Sequence, residues 1–144
     1  MGEKEQVPRI IQLEKIVDKR GNLSYFENNN QIPFAIRRTY WIYDVPGGEH
    51  RGGHAFRESE EFIVALSGSF DVVLDDGKEE QIFNLNRSYY GLHIPRMYWR
   101  EMNNFSTNSL ALIVANTDYN EGDYIREYGS FCESRRYYET SIGI

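Results

Sequence analysis

Residues 48–68 read GEHRGGHAFRESEEFIVALSG, and the spacing of side chains in this stretch decides the fold prediction. The first glycine is followed, after five intervening residues, by His54, and Phe56 lies two positions further on. Glu61 and the closing Gly68 complete the pattern. Successive side chains of a β-strand point to opposite faces, so His54 and Phe56 share one face. With a histidine at position 56 this stretch would resemble part of a metal site. The pattern alone therefore leaves three roles for His54: the remaining ligand of a lost metal site, a catalytic base or a core histidine.

Alternation of apolar and polar residues predicts a protein made mostly of strands. Short alternating runs separated by Gly, Pro, Asn or Asp are typical of a half-buried antiparallel sheet. Evenly spaced runs of this kind predict a jelly roll or a related small barrel. The predicted strands are RIIQLEKI (9–16), GNLSYFEN (21–28), AIRRTYWIYDV (35–45), EFIVAL (61–66), SFDVVLDD (69–76), EEQIFNLN (79–86), YYGLHI (89–94), MYWREMN (97–103) and LALIVAN (110–116).

Two further segments carry turn and helix signals. Residues 75–78 read DDGK, where Asp76 and Gly77 can supply the positive φ values of a tight hairpin. Residues 116–131, NTDYNEGDYIREYGSF, predict helical structure, with Asp123 or a neighbour as the cap. We therefore expect an all-β domain with a short helical appendage at its C-terminal end.

Length, composition and charge limit the class of protein. The 144 residues, 40% of them hydrophobic and 15% aromatic, predict a single domain over residues 1–144 with one core. A formal net charge of −6 argues against nucleic-acid binding, which relies on a positive surface. The sequence has no apolar run of membrane-spanning length and no secretion signal, so we predict a cytoplasmic protein without membrane partners. Cys132 is the only cysteine, which excludes an internal disulfide.

A second motif accompanies the first. Residues 95–104 read PRMYWREMNN, and together with residues 48–68 they resemble the two motifs of the cupins in order and in separation. Pro95, Arg100 and Asn104 stand where cupins have a proline, their last histidine and an asparagine. The resemblance implies a cupin fold, the double-stranded β-helix or jelly-roll barrel.

The ligand set of a metal-binding cupin is incomplete in this chain. Such cupins bind iron, manganese or a similar ion through three histidines and a glutamate. Only His54 and Glu61 remain, and Phe56 cannot coordinate a metal. Arg100 would add a fixed positive charge beside the cation. We therefore predict no metal and no cofactor, and expect the pocket to take an anionic substrate or a developing oxyanion. The arginines in or beside the motifs are Arg37, Arg38, Arg51, Arg57, Arg96 and Arg100.

The sequence resembles two groups of sugar-modifying cupins. RGGHAF is similar to the RGxHxx stretch of the deoxysugar 3,5-epimerases. The closer resemblance, which covers nearly the whole chain, is to the dTDP-4-keto-6-deoxyglucose 3,4-ketoisomerases, small metal-free homodimeric cupins of nucleotide-sugar pathways. It is carried by DKRGNL (18–23), IPFAIRRTYWI (32–42), RGGHA (51–55), SGSFDVVLDDGKEE (67–80), GLHIPRMYWREM (91–102) and DYNEGDYIREYGSF (118–131).

The ketoisomerase resemblance implies a reaction and a set of residues. A base removes the proton on C3 beside the C4 ketone, an enediolate forms, and a proton returns at C4. His54 matches the first histidine of the family's pair and is the expected base, whereas Phe56 replaces the second. Arg100 is expected to stabilise the enediolate. Arg20 and Arg100 match positions near the sugar where family members differ, and we expect both to influence the face on which C4 is protonated.

Other residues are expected to bind substrate. Arg51 and Arg38 are candidates for the pyrophosphate, because arginine forks pair with phosphate oxygens. Glu61 is an ordinary strand glutamate, the acid partner of an arginine or the group that orients His54. Tyr40 is a core, interface or thymine-stacking aromatic, like its neighbours. His93 could face the same cavity. Phe56 is expected to line it, making it drier.

Phe56 keeps alternative functions open. If both histidines of the pair are needed, the chain is a catalytically weak or inactive homologue that binds a dTDP-sugar or serves as the partner subunit of an intact ketoisomerase. A ligand-sensing cupin is a third reading. On the enzyme reading, desolvation by Phe56 lowers the pKa of His54 and favours the neutral base, and Phe56→His should raise turnover.

Overall fold

The structure, a computed structural model, describes residues 6–144 and is built mainly from strands. Within this range a single α-helix follows the last strand. The strands are β1 Arg9–Gln12, β2 Arg38–Tyr43, β3 Arg51–Phe56, β4 Glu61–Ser67, β5 Phe70–Asp75, β6 Glu80–Leu85, β7 Tyr90–Ile94, β8 Trp99–Asn103, β9 Leu110–Ala115 and β10 Tyr124–Ile125; the helix is α1 Tyr128–Ser141.

The strands form two antiparallel sheets that share one core. The first sheet has the order β1-β7-β4-β9-β2 and the second the order β10-β3-β8-β5-β6. The main apolar cluster takes residues from both sheets, including Ile63 and Leu92 from the first and Val72 and Met102 from the second, so the core lies between them. This arrangement confirms the predicted double-sheet cupin barrel.

Strand β5 and the hairpin that follows it show how the alternation works. Phe70, Val72 and Leu74 are buried in the core, as expected for every second residue of a strand. The β5–β6 hairpin is confirmed, although only Gly77 in its loop has a positive φ, +94°. Asp76 instead stabilises the loop through its carboxylate, which accepts hydrogen bonds from the backbone N–H groups of Lys78 and Glu79.

The segment between β1 and β2 covers the outer face of the first sheet. The strand predicted for residues 21–28 is wrong, since the segment makes only an isolated bridge between Ile16 and Leu23. Phe26 instead packs edge-to-face against Phe62, with ring centroids 5.3 Å apart. The apolar residues of this segment pack onto the outer face of the sheet and form a second apolar cluster with it, and they do not add a strand to the sheet.

The C-terminal helix lies later in the chain than predicted. Helix α1 covers residues 128–141, whereas most of the predicted segment 116–131 is a loop, a single 3₁₀ turn and strand β10. Asp123 does not cap a helix, because it is buried and accepts backbone hydrogen bonds from Glu58 and Ser59. In residues 6–144 no helix is long and apolar enough to cross a membrane.

Candidate active site

A cavity of about 500 Å³ lies at one end of the barrel interior, beside the edge strands of the two sheets. Strands from both sheets and the loop before β10 supply its walls. The lining side chains include Arg38 and Tyr40 from β2, Arg51 and His54 from β3, Glu61 from β4, Arg100 from β8, Tyr119 from the loop, Tyr124 from β10 and Arg126 just after it.

A buried ion pair forms the inner part of the cavity. Glu61 and Arg100 are almost fully buried, and Nη1 of Arg100 donates to Oε1 of Glu61 at 2.6 Å. The hydroxyl of Tyr40 donates to the other carboxylate oxygen at 2.5 Å. Both carboxylate oxygens are therefore satisfied, as a buried charge requires. Burial and the neighbouring carboxylate raise the pKa of Tyr40, so its hydroxyl stays protonated.

A glycine-dependent bulge places His54 opposite this pair. The register of β3 on β8 shifts between Gly52 and His54, which lies across from Arg100. Gly52 and Gly53 have φ values of +91° and +76°, a region that L side chains rarely adopt. A Cβ on Gly52 would also lie 2.9 Å from the carbonyl oxygen of Arg100. The RGGH sequence is therefore the local reason that His54 is aimed into the cavity.

The surroundings of His54 favour a neutral imidazole. Burial lowers the pKa of His54 to about 3, and the positive charges of four arginines act in the same direction. Its Nδ1 is buried without a hydrogen-bond partner in the described residues, and the two oxygens of Glu61 accept from Arg100 and Tyr40 rather than from His54. The predicted fall in this pKa has two causes, burial and the arginines. These arginines are Arg100, Arg126, Arg38 and Arg51.

Arg38 has unused hydrogen-bond donors beside the cavity. Its Nε and Nη2 are buried and have no hydrogen-bond partner among residues 6–144. The guanidinium carbon lies 5.6 Å from the ring centroid of Tyr40 and 5.8 Å from that of Tyr119. An arginine held between aromatic rings with free donors suits an anionic ligand that can accept two hydrogen bonds.

Strand β10 and the residue after it bring two further side chains to the cavity, which no sequence motif indicated. Strand β10 pairs with β3 and places Tyr124 opposite Phe56. Arg126 lies 4.2 Å from the Tyr124 ring centroid and makes a fork-like pair with Glu121 at 2.7 and 3.0 Å. The stretch DYIREYG (123–129) contains Tyr124 and Ile125, residue types that favour strands, but the sequence pattern predicted a helix for the whole segment.

Asp123 holds this segment in place from the opposite side. Its carboxylate accepts hydrogen bonds from the backbone N–H groups of Glu58, at 2.6 Å, and Ser59, at 3.1 Å. The Ser59 hydroxyl donates to the same carboxylate. This buried anchor ties the chain after β3 to the chain before β10, and so fixes Tyr124 over His54.

Phe56, His93 and Arg20 do not line the cavity. Phe56 does point to the same side as His54 but is 0% exposed beneath the functional side chains. His93 is on the outer face, opposite Phe62 in the register, because its neighbours in β7 face the core. Arg20 lies in an exposed turn and pairs with Asp18, so this chain does not bring it to its own cavity.

The arginine set of the cavity differs from the one suggested by the sequence. Arg38, Arg51 and Arg100 line it, but Arg37 does not and pairs with Asp118 on the surface. Arg57 and Arg96 are likewise absent from its walls. In the described range 6–144 no group of three or more His, Cys, Asp or Glu side chains is placed to hold a metal ion. Glu61 is already engaged by Arg100 and Tyr40, so the remaining cupin ligands do not fit a metal.

Comparison with known proteins gives consistent matches. The profile of the FdtA family (WxcM-like, C-terminal) matches residues 6–136. The TDP-4-oxo-6-deoxy-α-D-glucose-3,4-oxoisomerase of Aneurinibacillus thermoaerophilus is 42% identical over 123 residues, 85% of this chain and 88% of that protein.

Solved structures extend the similarity to the fold. QdtA, a sugar 3,4-ketoisomerase from Thermoanaerobacterium thermosaccharolyticum in complex with TDP, matches with a TM-score of 0.89 and 34% identity over 91% of this chain and 96% of that one. WlaRB, the TDP-quinovose 3,4-ketoisomerase of Campylobacter jejuni, matches with a TM-score of 0.84 and 40% identity, and the match covers 88% of this chain and 97% of that one. The dTDP-4-dehydrorhamnose 3,5-epimerase of Bacillus anthracis, at 13% identity, shares the fold alone. The three relatives at 34% identity or more are sugar 3,4-ketoisomerases, which confirms the predicted resemblance. The chain belongs to the FdtA family (WxcM-like, C-terminal).

Proposed function

We propose that this protein isomerises a TDP-4-keto-6-deoxyhexose to the corresponding 3-keto sugar. The observation that carries the proposal is the position of His54, a neutral imidazole in a cavity that also holds the Arg100–Glu61 pair. A neutral imidazole can accept a proton from carbon, and a fixed cation opposite it can stabilise the resulting oxyanion. The relatives that are 34% or more identical to this chain are named as sugar 3,4-ketoisomerases.

The chemistry balances without an oxidant or a cofactor. His54 takes the proton from C3. The electrons of the C3–H bond form a C3–C4 double bond, and the π electrons of the C4 carbonyl move onto its oxygen. The enediolate then receives a proton at C4, while the hydroxyl proton of O3 is lost and O4 gains one. The product is a 3-keto, 4-hydroxy sugar with the same atoms as the substrate.

The buried network can serve the oxygen atoms of the enediolate. Arg100 keeps its positive charge throughout, and its Nε has no hydrogen-bond partner in the described part of the chain. The protonated hydroxyl of Tyr40 lies in the cavity wall and is held by Glu61. We assign Arg100 to charge stabilisation at O3 and O4, where charge develops, whereas Tyr40 donates its single hydroxyl proton to Glu61 and so holds that carboxylate in place.

The substrate's own charge would help His54 act as a base. The pKa of His54 is low partly because arginines face it. A bound diphosphate would neutralise part of that positive charge and raise the pKa towards the usual histidine range. We therefore assign the diphosphate to Arg38, Arg51 and Arg126, with the unused donors of Arg38 as the main support.

The proposal includes a homodimer. Trp41 and Tyr43 are 59% and 61% exposed on β2, an edge strand of the first sheet, and Leu66 is exposed nearby. An exposed edge strand with large apolar side chains is a surface that a second copy can cover. Sedimentation analysis tests this: a dimer at micromolar concentration is expected, and Trp41→Lys should shift it to monomer.

Proton exchange at C3 provides the direct test of activity. The protein is incubated in D₂O with TDP-4-keto-6-deoxyglucose, and NMR follows deuterium entry at C3 and formation of the 3-keto sugar. We expect both, and expect His54→Asn to abolish both while TDP binding, measured by calorimetry, persists. Binding without exchange in the unaltered protein would instead support the inactive-homologue reading.

A further inference from the structure

Phe56 lies at the centre of the functional side chains without touching the cavity. Its ring is 0% exposed and is absent from the cavity wall. It contacts His54 and Tyr124 edge-to-face, with centroids 4.9 and 4.6 Å apart. The guanidinium carbons of Arg100 and Arg38 lie 4.8 and 5.9 Å from the same centroid. One buried ring therefore contacts four side chains that face the ligand space.

These contacts have an energetic reason. Arg100 is only 2% exposed, so its charge has lost most of its hydration. Glu61 and the carbonyl of Tyr98 satisfy part of the guanidinium. The negative face of the Phe56 ring supplies further attraction to a desolvated cation. The same ring fills the space behind His54 with apolar atoms, which excludes water from its inner side.

We propose that Phe56 is a positioning residue for the isomerisation, holding the Arg100 guanidinium and the His54 imidazole in place and keeping the inner side of His54 dry. This inference rests on the proposed function. On this view a single histidine serves as the proton carrier, and the aromatic residue at position 56 is part of the machinery rather than a lost catalytic group.

The geometry reverses one expectation from the sequence. A histidine at position 56 would be fully buried against the guanidinium groups of Arg38 and Arg100. Because position 56 does not line the cavity, a histidine there would not reach the substrate, and unlike His54 it would not act as a proton carrier. The replacement would also weaken the cation–π contacts. We expect Phe56→His to turn over no faster than the unaltered protein.

The charged and titratable groups around His54 come from five parts of the fold. The nearby carboxylate of Glu61 is held by Arg100, and Glu121 is held by Arg126. A change in His54 protonation can therefore be assigned only when these groups are left intact. They are Arg38 and Tyr40 on β2, His50 just before β3 and Arg51 at its start, Glu61 on β4, Arg100 on β8, and Tyr124, Arg126, Tyr119 and Glu121 around β10.

The test compares two volume-conserving substitutions at buried phenylalanines. Phe56→Met removes the ring beneath the site, and Phe70→Met removes an equally buried ring that stacks on Phe105 in the main core. Thermal unfolding reports the stability cost of each. Steady-state kinetics give kcat and KM, and NMR of histidine-labelled protein follows the protonation of His54, assigned with His54→Asn.

We expect Phe56→Met to lower kcat about tenfold or more with KM within about twofold, since orientation rather than binding is lost. The protonation midpoint of His54 should rise by at least about half a unit as water enters. Phe70→Met should leave kcat and the midpoint unchanged although it also lowers the melting temperature. If Phe56→Met is poorly folded, Phe56→Leu carries the same expectations.

Two outcomes would overturn the proposal. The first is a Phe56→Met protein whose kcat and His54 midpoint match those of Phe70→Met, which would make Phe56 an ordinary core residue. The second is Phe56→His with turnover above that of the unaltered protein. The NMR titration and TDP binding need no turnover, so failure of the positioning role can be told apart from failure of the isomerase assignment.

Discussion

His54 and His93 are both histidines of central β-strands, yet they lie in opposite surroundings. His54 faces the interior of the barrel among four arginines. His93 faces outward beneath the segment between β1 and β2, near Phe34 and 3.4 Å from the carboxylate of Glu60. The comparison shows that the strand face, and with it the sign of the neighbouring charges, decides what a buried histidine can do.

The largest expected effect separates the two histidines by activity. His54→Asn should lower kcat about a thousandfold, because the proton carrier is lost. His93→Asn should leave kcat within about twofold, because position 93 faces away from the cavity, although it should lower stability by about 1 kcal/mol. Progress curves by NMR and urea unfolding measure the two quantities. A large loss of kcat in a folded His93→Asn protein would contradict this division.

The second prediction concerns the cation opposite His54. Arg100→Met should lower kcat about a hundredfold, since the enediolate loses its fixed positive charge. It should also cost about 3 kcal/mol of unfolding free energy, because the carboxylate of Glu61 is left buried without its cation. The control is Arg37→Met, which breaks an exposed pair with Asp118 and should cost less than about 1 kcal/mol. Equal losses of unfolding free energy in the two variants would show that the buried pair stabilises the fold no more than the exposed one.

The third prediction uses acid to compare the folded and unfolded surroundings of His54. The unfolded chain protonates His54 as the pH falls below its usual pKa of 6.5, whereas the folded protein does so only near 3. Stability is therefore lost as the pH falls through this window, since the unfolded state binds the extra proton. Relative to pH 7, His54→Asn should lose less unfolding free energy at pH 4.5 than the unaltered protein, as measured by urea unfolding at both values. An identical loss would place the acid sensitivity elsewhere.

The smallest expected effect is a change on binding. Saturating TDP should raise the pKa of His54 by about one unit, because the diphosphate neutralises the arginines that face it. The imidazole signals of His93 should not move with TDP, since that ring is outside the cavity. NMR titration of histidine-labelled protein with and without TDP measures both. An unchanged His54 midpoint would mean that the diphosphate binds away from these arginines.

Much of the fold could be predicted because it depends on local pattern. The alternation that buries Phe70, Val72 and Leu74 is visible in the residues themselves, and Gly77 marks the hairpin after β5. Segment 21–28 was mistaken for a strand because residues that cover a sheet carry the same apolar content as residues within one. The end of the chain was misplaced because Tyr124 and Ile125 belong to a strand only through their pairing with β3.

Some features of the candidate site could likewise be predicted from the sequence, and others could not. From the sequence alone, alternation predicted a small β-barrel. The resemblance of residues 48–68 and 95–104 to the cupin motifs implied that His54, Glu61 and Arg100 meet in it, and the structure brings all three to one cavity. Only the tertiary structure decided that Arg126 reaches the cavity and that His93 does not. It also buried Phe56 beneath the arginines instead of against the substrate. These outcomes depend on contacts between residues distant in sequence, whose sterics and charges no local pattern contains.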